Sequence, residues 1–128
     1  MHTTMGLVAI VDDDASMRTS IERLLQAKGY ATIAFASAEE LVRNGVVDGT
    51  IGLILDIHLG GMSGIELRRR LAAAGSTIPV VFITAYDDEK TRDEALAAGC
   101  VDYLRKPFDA SRLIAALERG DLVDRRTQ

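Results

Sequence analysis

The sequence predicts an α/β domain in which five parallel strands alternate with five helices in a doubly wound sheet. Short apolar runs recur along the chain at residues 7–11, 31–35, 51–55, 79–83 and 101–104. Three of these runs are continuously apolar, as expected for parallel strands that are covered on both faces. Each run is followed by a segment with helical spacing, and this alternation is typical of a parallel sheet with crossover helices.

The segments between the strands carry the marks of helix starts and helix ends. Asp14 is expected to cap the first helix, whose apolar stripe consists of Met17, Ile21, Leu24 and Leu25. Residues 37–40 and 63–66 match the capping box, in which side chains satisfy the free N–H groups of a helix start. Five glycines stand where a left-handed residue would end a helix, namely Gly29, Gly45, Gly75, Gly99 and Gly120.

Composition indicates one ordinary globular domain without a nucleic-acid or membrane signature. Of the 128 residues, 48% are hydrophobic and 27% are charged, and the formal net charge is −4. An acidic domain of this size is not expected to bind DNA or RNA directly, and no apolar run approaches the ~20 residues of a membrane span. The single cysteine excludes an internal disulfide, so we expect a cytoplasmic protein. We expect the domain to cover residues 1–120, followed by a polar tail at residues 121–128 that no longer belongs to the last helix.

Polar side chains follow four of the five predicted strands. Asp12 and Asp13 come after the first strand, Asp56 after the third, Thr84 after the fourth and Lys106 after the fifth. Ligands of an open parallel sheet bind beyond the carboxyl ends of its strands. The second strand ends without a polar residue, which suits an edge position. With the first and third strands adjacent, in the order 2-1-3-4-5, the five polar residues converge on one pocket.

The charges of this pocket predict a divalent cation. Asp12, Asp13 and Asp56 contribute three negative charges and Lys106 one positive charge. Three carboxylates packed together repel one another unless a cation intervenes, and Mg²⁺ prefers such hard oxygen ligands. A carboxylate beside a metal, a hydroxyl and an ammonium group is suited to phosphoryl transfer, with the carboxylate as nucleophile.

The order and spacing of five motifs resemble the receiver domain of two-component response regulators from about residue 7 to residue 117. The motifs are IVDDD at 10–14, LILDI at 53–57, MSG at 62–64, VFITA at 81–85 and AGCVDYLRKPF at 98–108. The resemblance implies a flavodoxin-like fold. The string FASAEE at 35–40 further resembles the subfamily that includes nitrogen-fixation regulators with a helix-turn-helix output.

Carried over position by position, the resemblance implies Asp56 as the phosphoacceptor. Asp13 and Asp56 would bind Mg²⁺ through their side chains, together with the backbone carbonyl of His58. Asp12 would act through a metal-bound water. The imidazole of His58 is not expected to bind the metal, because a hard Mg²⁺ site prefers oxygen.

The resemblance also implies a phosphate-binding and switching set near the last two strands. Thr84 would hydrogen-bond the phosphoryl group and shift towards it, drawing in Tyr103 as an aromatic switch. Ala85 is small where the family needs room for phosphate. Lys106 would pair with a phosphoryl oxygen, and the Lys106–Pro107 peptide bond would be cis.

Two features of the loops beside the phosphoacceptor are particular to this sequence. His58 and Tyr86 stand two residues after the expected phosphoacceptor and the expected threonine, so we predict that their side chains slow the attack of water on the acyl phosphate. The family usually has proline four residues after the phosphoacceptor, whereas this chain has Gly60 followed by Gly61. Two glycines raise the conformational entropy of the unfolded chain and loosen the loop.

The function expected from these residues is a phosphorylation-dependent switch. The partner would be a sensor histidine kinase or a histidine phosphotransfer protein, and the changed output face would lie at about residues 87–119. Phosphorylation could also drive homodimerisation. Such a protein is not an enzyme in the usual sense, because it catalyses only its own phosphorylation and dephosphorylation. Both a stand-alone regulator and a receiver cut from a longer transcription factor fit this chain.

Two other functions would use the same residues. A phosphatase or phosphotransferase with an aspartyl-phosphate intermediate would need a separate general acid and a substrate-gating cap, and the chain leaves no room for an inserted cap. An unphosphorylated protein-interaction module on the same fold has no need of the costly acidic cluster. Turnover of a small phosphate ester would identify the former, and indifference of partner binding to Asp56→Asn would identify the latter.

Overall fold

A computed structural model describes the backbone of residues 5–127 and the side chains of residues 5–120. The five predicted strands and five predicted helices are all present and alternate along the chain. They are β1 (Leu7–Val11), α1 (Ala15–Ala27), β2 (Ala31–Phe35), α2 (Ala38–Asn44), β3 (Thr50–Asp56), α3 (Gly64–Ala73), β4 (Val80–Thr84), α4 (Glu89–Ala98), β5 (Asp102–Arg105) and α5 (Ala110–Thr127).

The five strands form one parallel sheet in the predicted order β2-β1-β3-β4-β5. β1 lies in the interior of the sheet, where Leu7 pairs with Ala31 of β2 and with Thr50 of β3. β3 and β4 each extend one residue further than predicted, so that Asp56 and Thr84 are the last residues of their strands. The carboxyl ends of β1, β3, β4 and β5 therefore lie side by side, with β2 at one edge.

Alternate residues of the sheet supply two hydrophobic layers, one on each face. In β1, Val8 and Ile10 belong to the layer covered by α1 and α5, whereas Ala9 and Val11 belong to the layer covered by α2, α3 and α4. These four side chains are at most 3% exposed. Burial on both faces is what the continuously apolar strands predict. In the part of the chain that is described, no helix has both the length and the apolar composition that crossing a membrane requires.

Side-chain caps start the helices where the sequence predicted them. The Asp14 carboxylate accepts a hydrogen bond of 2.9 Å from the Ser16 N–H at the start of α1. The hydroxyl oxygens of Ser37 and Ser63 each accept a hydrogen bond of 3.1 Å from the glutamate N–H three residues later. At the end of α4, Gly99 has φ +92°, a conformation that residues with a Cβ rarely adopt.

The prediction that Gly120 ends the last helix is wrong. α5 runs through Gly120 and continues to Thr127, so the helix extends into the segment predicted to be a tail. A Cβ at Gly120 would lie 2.9 Å from Pro79 Cβ and 3.3 Å from Val101 Cγ2. This glycine therefore marks a close approach between α5 and the residues that directly precede β4 and β5, and not a helix end. The side chains from residue 121 onwards, and the whole of Gln128, lie outside the described residues.

Candidate functional site

Three carboxylates meet at the carboxyl ends of β1 and β3. Ligand oxygens of Asp12, Asp13 and Asp56 all lie within 4.8 Å of one another. Asp12 follows β1 directly and Asp56 ends β3, and the pairing of these two neighbouring strands brings the residues together. The Asp12 residue is fully buried and Asp56 is 5% exposed, whereas Asp13 is exposed to solvent. The arrangement concentrates negative charge at one point of the sheet edge.

Lys106 bridges the two buried carboxylates. Its ammonium Nζ lies 2.9 Å from Asp12 Oδ2 and 3.2 Å from Asp56 Oδ2, and its side chain is 14% exposed. The backbone N–H of Lys106 donates a hydrogen bond of 2.7 Å to the Thr84 carbonyl, which continues the β4–β5 pairing towards the site. The peptide bond between Lys106 and Pro107 is cis.

Burial and charge act in opposite directions on the groups of this site. Burial raises the pKa of the Asp56 carboxyl; the Lys106 ammonium opposes this effect, and the Asp12 carboxylate adds to it. Burial alone would lower the pKa of Lys106, but its hydrogen bond to Asp12 and the charge of Asp56 raise it overall. The lysine is therefore held in its charged form, and Asp56 is harder to ionise than an exposed aspartate.

Backbone N–H groups hold the two buried carboxylates in place, and one arginine holds the main chain at Asp12. Asp12 Oδ1 accepts a hydrogen bond of 2.9 Å from the Asp14 N–H, and Asp56 Oδ1 accepts one of 3.2 Å from the His58 N–H. Arg18 Nη1 donates to the backbone carbonyl of Asp12 at 2.8 Å. Arg18 was not predicted from the sequence. Arg18 lies four residues after the helix cap Asp14, one turn into α1, and this spacing could have predicted its place on the side of the pocket.

The donor set fits a magnesium ion. The possible metal ligands grouped here are the carboxylates of Asp12, Asp13 and Asp56, and hard divalent cations prefer carboxylate and carbonyl oxygens. The His58 imidazole instead lies edge-on to the ring of Tyr86, with ring centroids 5.3 Å apart and planes at 90°. Of His58, the backbone carbonyl is the group with the chemistry to complete the oxygen set.

The two predicted switch residues share one partner, the main chain of Tyr86. Thr84 is fully buried, and its hydroxyl donates a hydrogen bond of 2.8 Å to the Tyr86 carbonyl and accepts one of 3.0 Å from the Tyr86 N–H. The Tyr103 hydroxyl lies 3.5 Å from the same carbonyl. For Thr84 to donate to a phosphoryl group, its hydroxyl has to leave this carbonyl.

Tyr103 lies half-buried at the end of the hydrophobic layer beneath α3 and α4. The guanidinium carbon of Arg92 is 6.0 Å from the ring centroid of Tyr103, and Arg92 also forms an ion pair with Asp87. Burial raises the pKa of the Tyr103 hydroxyl, and the charge of Asp87 adds to this effect. The tyrosine thus connects the β4–α4 loop to β5.

The remaining predicted residues line the rim of the site. Ala85 is exposed directly after β4, and Tyr86 is 67% exposed. His58 is exposed after β3 and is in ring contact with Tyr86 across the rim. The structure therefore places the predicted residues of β3 and β4 in two loops that face each other beside the acidic cluster.

Comparisons with known proteins agree with this geometry. Residues 8–118 match the family described as the response regulator receiver domain. The chain is 36% identical over 124 residues to nodulation protein W of Bradyrhizobium diazoefficiens, covering 97% of this chain and 55% of that protein. It superposes on the crystal structure of full-length FixJ from B. japonicum with a TM-score of 0.82 and 35% identity, covering 92% of this chain and 58% of that one.

A further match concerns the fold alone. A CheY-like receiver domain protein from Methanospirillum hungatei superposes with a TM-score of 0.89 at 22% identity, over 98% of this chain and the whole of that one.

The chain spans about half the length of the curated relatives that it matches. Receiver domains are signalling domains rather than classical enzymes, and they interact with histidine kinases or phosphotransfer proteins. With the family match extending over nearly all of the sheet and its helices, the chain belongs to the response regulator receiver domains.

Proposed function

We propose that this chain is a phosphorylation-dependent switch that accepts a phosphoryl group on Asp56. The observation that carries the proposal is the Lys106 ammonium, which bridges the buried carboxylates of Asp12 and Asp56 beside the exposed Asp13. A nucleophilic carboxylate, an oxygen-rich cation site and a fixed ammonium are the groups that phosphoryl transfer to aspartate requires.

In the proposed reaction, an oxygen of Asp56 attacks the phosphorus of a phosphohistidine on a kinase or phosphotransfer protein. The new O–P bond forms as the N–P bond breaks, and the leaving nitrogen keeps the bonding electrons. A phosphohistidine protonated at its other ring nitrogen thus departs as neutral imidazole. Mg²⁺, held by Asp13, Asp56 and the His58 carbonyl and through water by Asp12, would neutralise the phosphoryl oxygens. Before the reaction the charge of Lys106 opposes the effect of burial on the pKa of Asp56, and its ammonium can then turn to the phosphoryl group.

The Tyr86 main chain would transmit phosphorylation of Asp56 to Tyr103. Ala85 has no side chain beyond Cβ and so leaves room for the phosphoryl group. When the Thr84 hydroxyl turns to the phosphoryl oxygens, the Tyr86 carbonyl loses one of its two donors and can take a closer hydrogen bond from Tyr103. Movement of Tyr103 would change the output face at residues 87–119 and permit homodimerisation. The proposed setting is the cytoplasm.

The proposal is tested by measuring the mass of the intact protein after incubation with Mg²⁺ and acetyl phosphate. We expect a gain of one phosphoryl group, about 80 Da, in the wild type and in Asp48→Asn, which removes an exposed carboxylate elsewhere. We expect no gain in Asp56→Asn or without Mg²⁺. A gain that persists in Asp56→Asn contradicts the assignment. Gel filtration of the same samples measures phosphorylation-dependent dimerisation.

A separate prediction concerns the lifetime of the acyl phosphate. If the His58 and Tyr86 rings shield the phosphoryl group from water, His58→Asn and Tyr86→Ala will each speed its loss by about threefold. Tyr86→Phe keeps the ring contact with His58 and is expected to hydrolyse like the wild type. Decay of the added mass after removal of acetyl phosphate measures the rates. Unchanged decay in both His58→Asn and Tyr86→Ala would show that the rings do not control access of water.

A further inference from the structure

The loop that follows the proposed phosphoacceptor is attached to α2 by Glu39. This loop, residues 57–63, connects β3 to α3 and contains the glycine pair that replaces the usual proline. The Met62 N–H donates a hydrogen bond of 2.8 Å to Glu39 Oε2, which is 23 residues earlier in the chain. A hydrogen bond of 3.0 Å from the Gly64 N–H to the Ile57 carbonyl joins the start of the loop to the first residue of α3.

Glu39 is well placed to restrain the loop because α2 itself is fixed. Ala38 and Leu41, on either side of Glu39, are at most 1% exposed, and Ser37 caps the helix. The hydrogen bond from the Met62 N–H lowers the pKa of the Glu39 carboxyl, so the acceptor is ionised at neutral pH. A hydrogen bond to a charged acceptor is stronger than one between neutral groups.

The two glycines of the loop differ in how they relate to Glu39. A Cβ at Gly61 would lie 2.5 Å from Glu39 Oε2 and 3.2 Å from Oε1, so the carboxylate occupies the space that a side chain would need. A Cβ at Gly60 would have no neighbour within 4 Å. Gly61 is therefore what allows Glu39 to reach the Met62 N–H, whereas Gly60 plays no part in this contact.

We propose that Glu39 is a positioning residue for the proposed metal and phosphoacceptor site. Its carboxylate restrains residues 57–63 through Met62 and so holds the His58 carbonyl next to the acidic cluster. The hydrogen bond from Met62 to Glu39 thus limits the loop motion that two glycines in place of proline would otherwise allow. This role rests on the proposed function only for its effect on Mg²⁺, since the restraint of the loop is measurable without metal or phosphate.

The test compares Glu39→Ala, Glu39→Gln, Gly61→Ala and the matched control Gly60→Ala. Amide hydrogen exchange followed by NMR in metal-free buffer should show the Met62 amide exchanging about tenfold faster in Glu39→Ala and Gly61→Ala. Glu39→Gln keeps an acceptor oxygen and should retain most of the protection. Gly60→Ala should match the wild type. Titration calorimetry with Mg²⁺ alone should give about threefold weaker binding in the first and third variants.

The outcomes distinguish the restraint of the loop by Glu39 from the proposed function. Unchanged Met62 exchange in Glu39→Ala and Gly61→Ala overturns the restraint, as does an equal change in Gly60→Ala. Faster Met62 exchange with unchanged Mg²⁺ affinity overturns the positioning role. If the wild type binds no Mg²⁺, the proposed function and the positioning role both fail, and Met62 exchange still decides whether Glu39 restrains the loop.

Discussion

Replacing Lys106 by methionine is expected to lower the free energy of unfolding by about 3 kcal/mol in metal-free buffer. Methionine keeps most of the apolar stem but removes the charge that lies 2.9 Å from Asp12 Oδ2 and 3.2 Å from Asp56 Oδ2. Two buried carboxylates would then face each other without a counter-ion. Urea unfolding in the presence of a chelator measures the loss. Arg105→Met removes a charge from the exposed neighbouring side chain and is expected to cost much less.

The loss in Lys106→Met should depend on pH in a defined direction. Burial already raises the pKa of Asp56 in the folded protein, and removing the lysine raises it further. A carboxyl with a raised folded pKa stabilises the fold at low pH, and this contribution is lost as pH rises through the folded value. The deficit should therefore be smaller at about pH 5 than at about pH 7. Adding Asp12→Asn should recover part of it at neutral pH, and additive losses would contradict this account.

Gly64→Ala is expected to destabilise the protein by about 3 kcal/mol and to weaken Mg²⁺ binding. A Cβ at this first residue of α3 would lie 2.2 Å from the Asp56 carbonyl oxygen and 3.2 Å from Ile57 Cα. Both are backbone atoms at the end of β3, so neither can move aside as a flexible side chain would. Relief requires α3 to shift away from the phosphoacceptor strand. Urea unfolding and Mg²⁺ titration measure the two effects.

The control for this substitution is Gly60→Ala in the same loop. The added methyl group at residue 60 meets no atom within 4 Å, so its effect on stability should stay within about 0.5 kcal/mol. A loss below about 1 kcal/mol in Gly64→Ala would contradict the close approach between α3 and β3.

The sequence predicted the fold because strands and helices of a parallel sheet are encoded locally. Continuous apolar runs and capping residues are features of neighbouring residues, and the polar residues that end the strands could be placed together once the strand order was inferred. Gly120 shows where this reasoning fails. A glycine in a helical segment predicts a helix end unless the distant residues packed against it, here Pro79 and Val101, are known.

The contacts that join separate elements could not be predicted in the same way. Glu39 lies within the capping-box segment of its own helix, in which Ser37 pairs with Glu40, yet the Glu39 side chain contacts Met62 in another loop. The strand ends indicate Thr84 and the resemblance indicates Tyr103. The Tyr86 carbonyl at which their hydroxyls meet is a main-chain atom, so the sequence carries no sign of it. Such contacts depend on how the loops between elements are oriented.

The interior position of β1 has a consequence for the synthesis of this protein. β1 is the first strand of the sheet to be made, and its apolar side chains serve both hydrophobic layers. One flank can pair when Ala31 is available, but the other waits for Thr50, about 40 residues after Leu7. At ordinary rates of translation this interval lasts roughly 2–8 s. During that time a nascent chain displays a fully apolar strand with at least one flank unpaired, the kind of segment that chaperones bind and that favours aggregation.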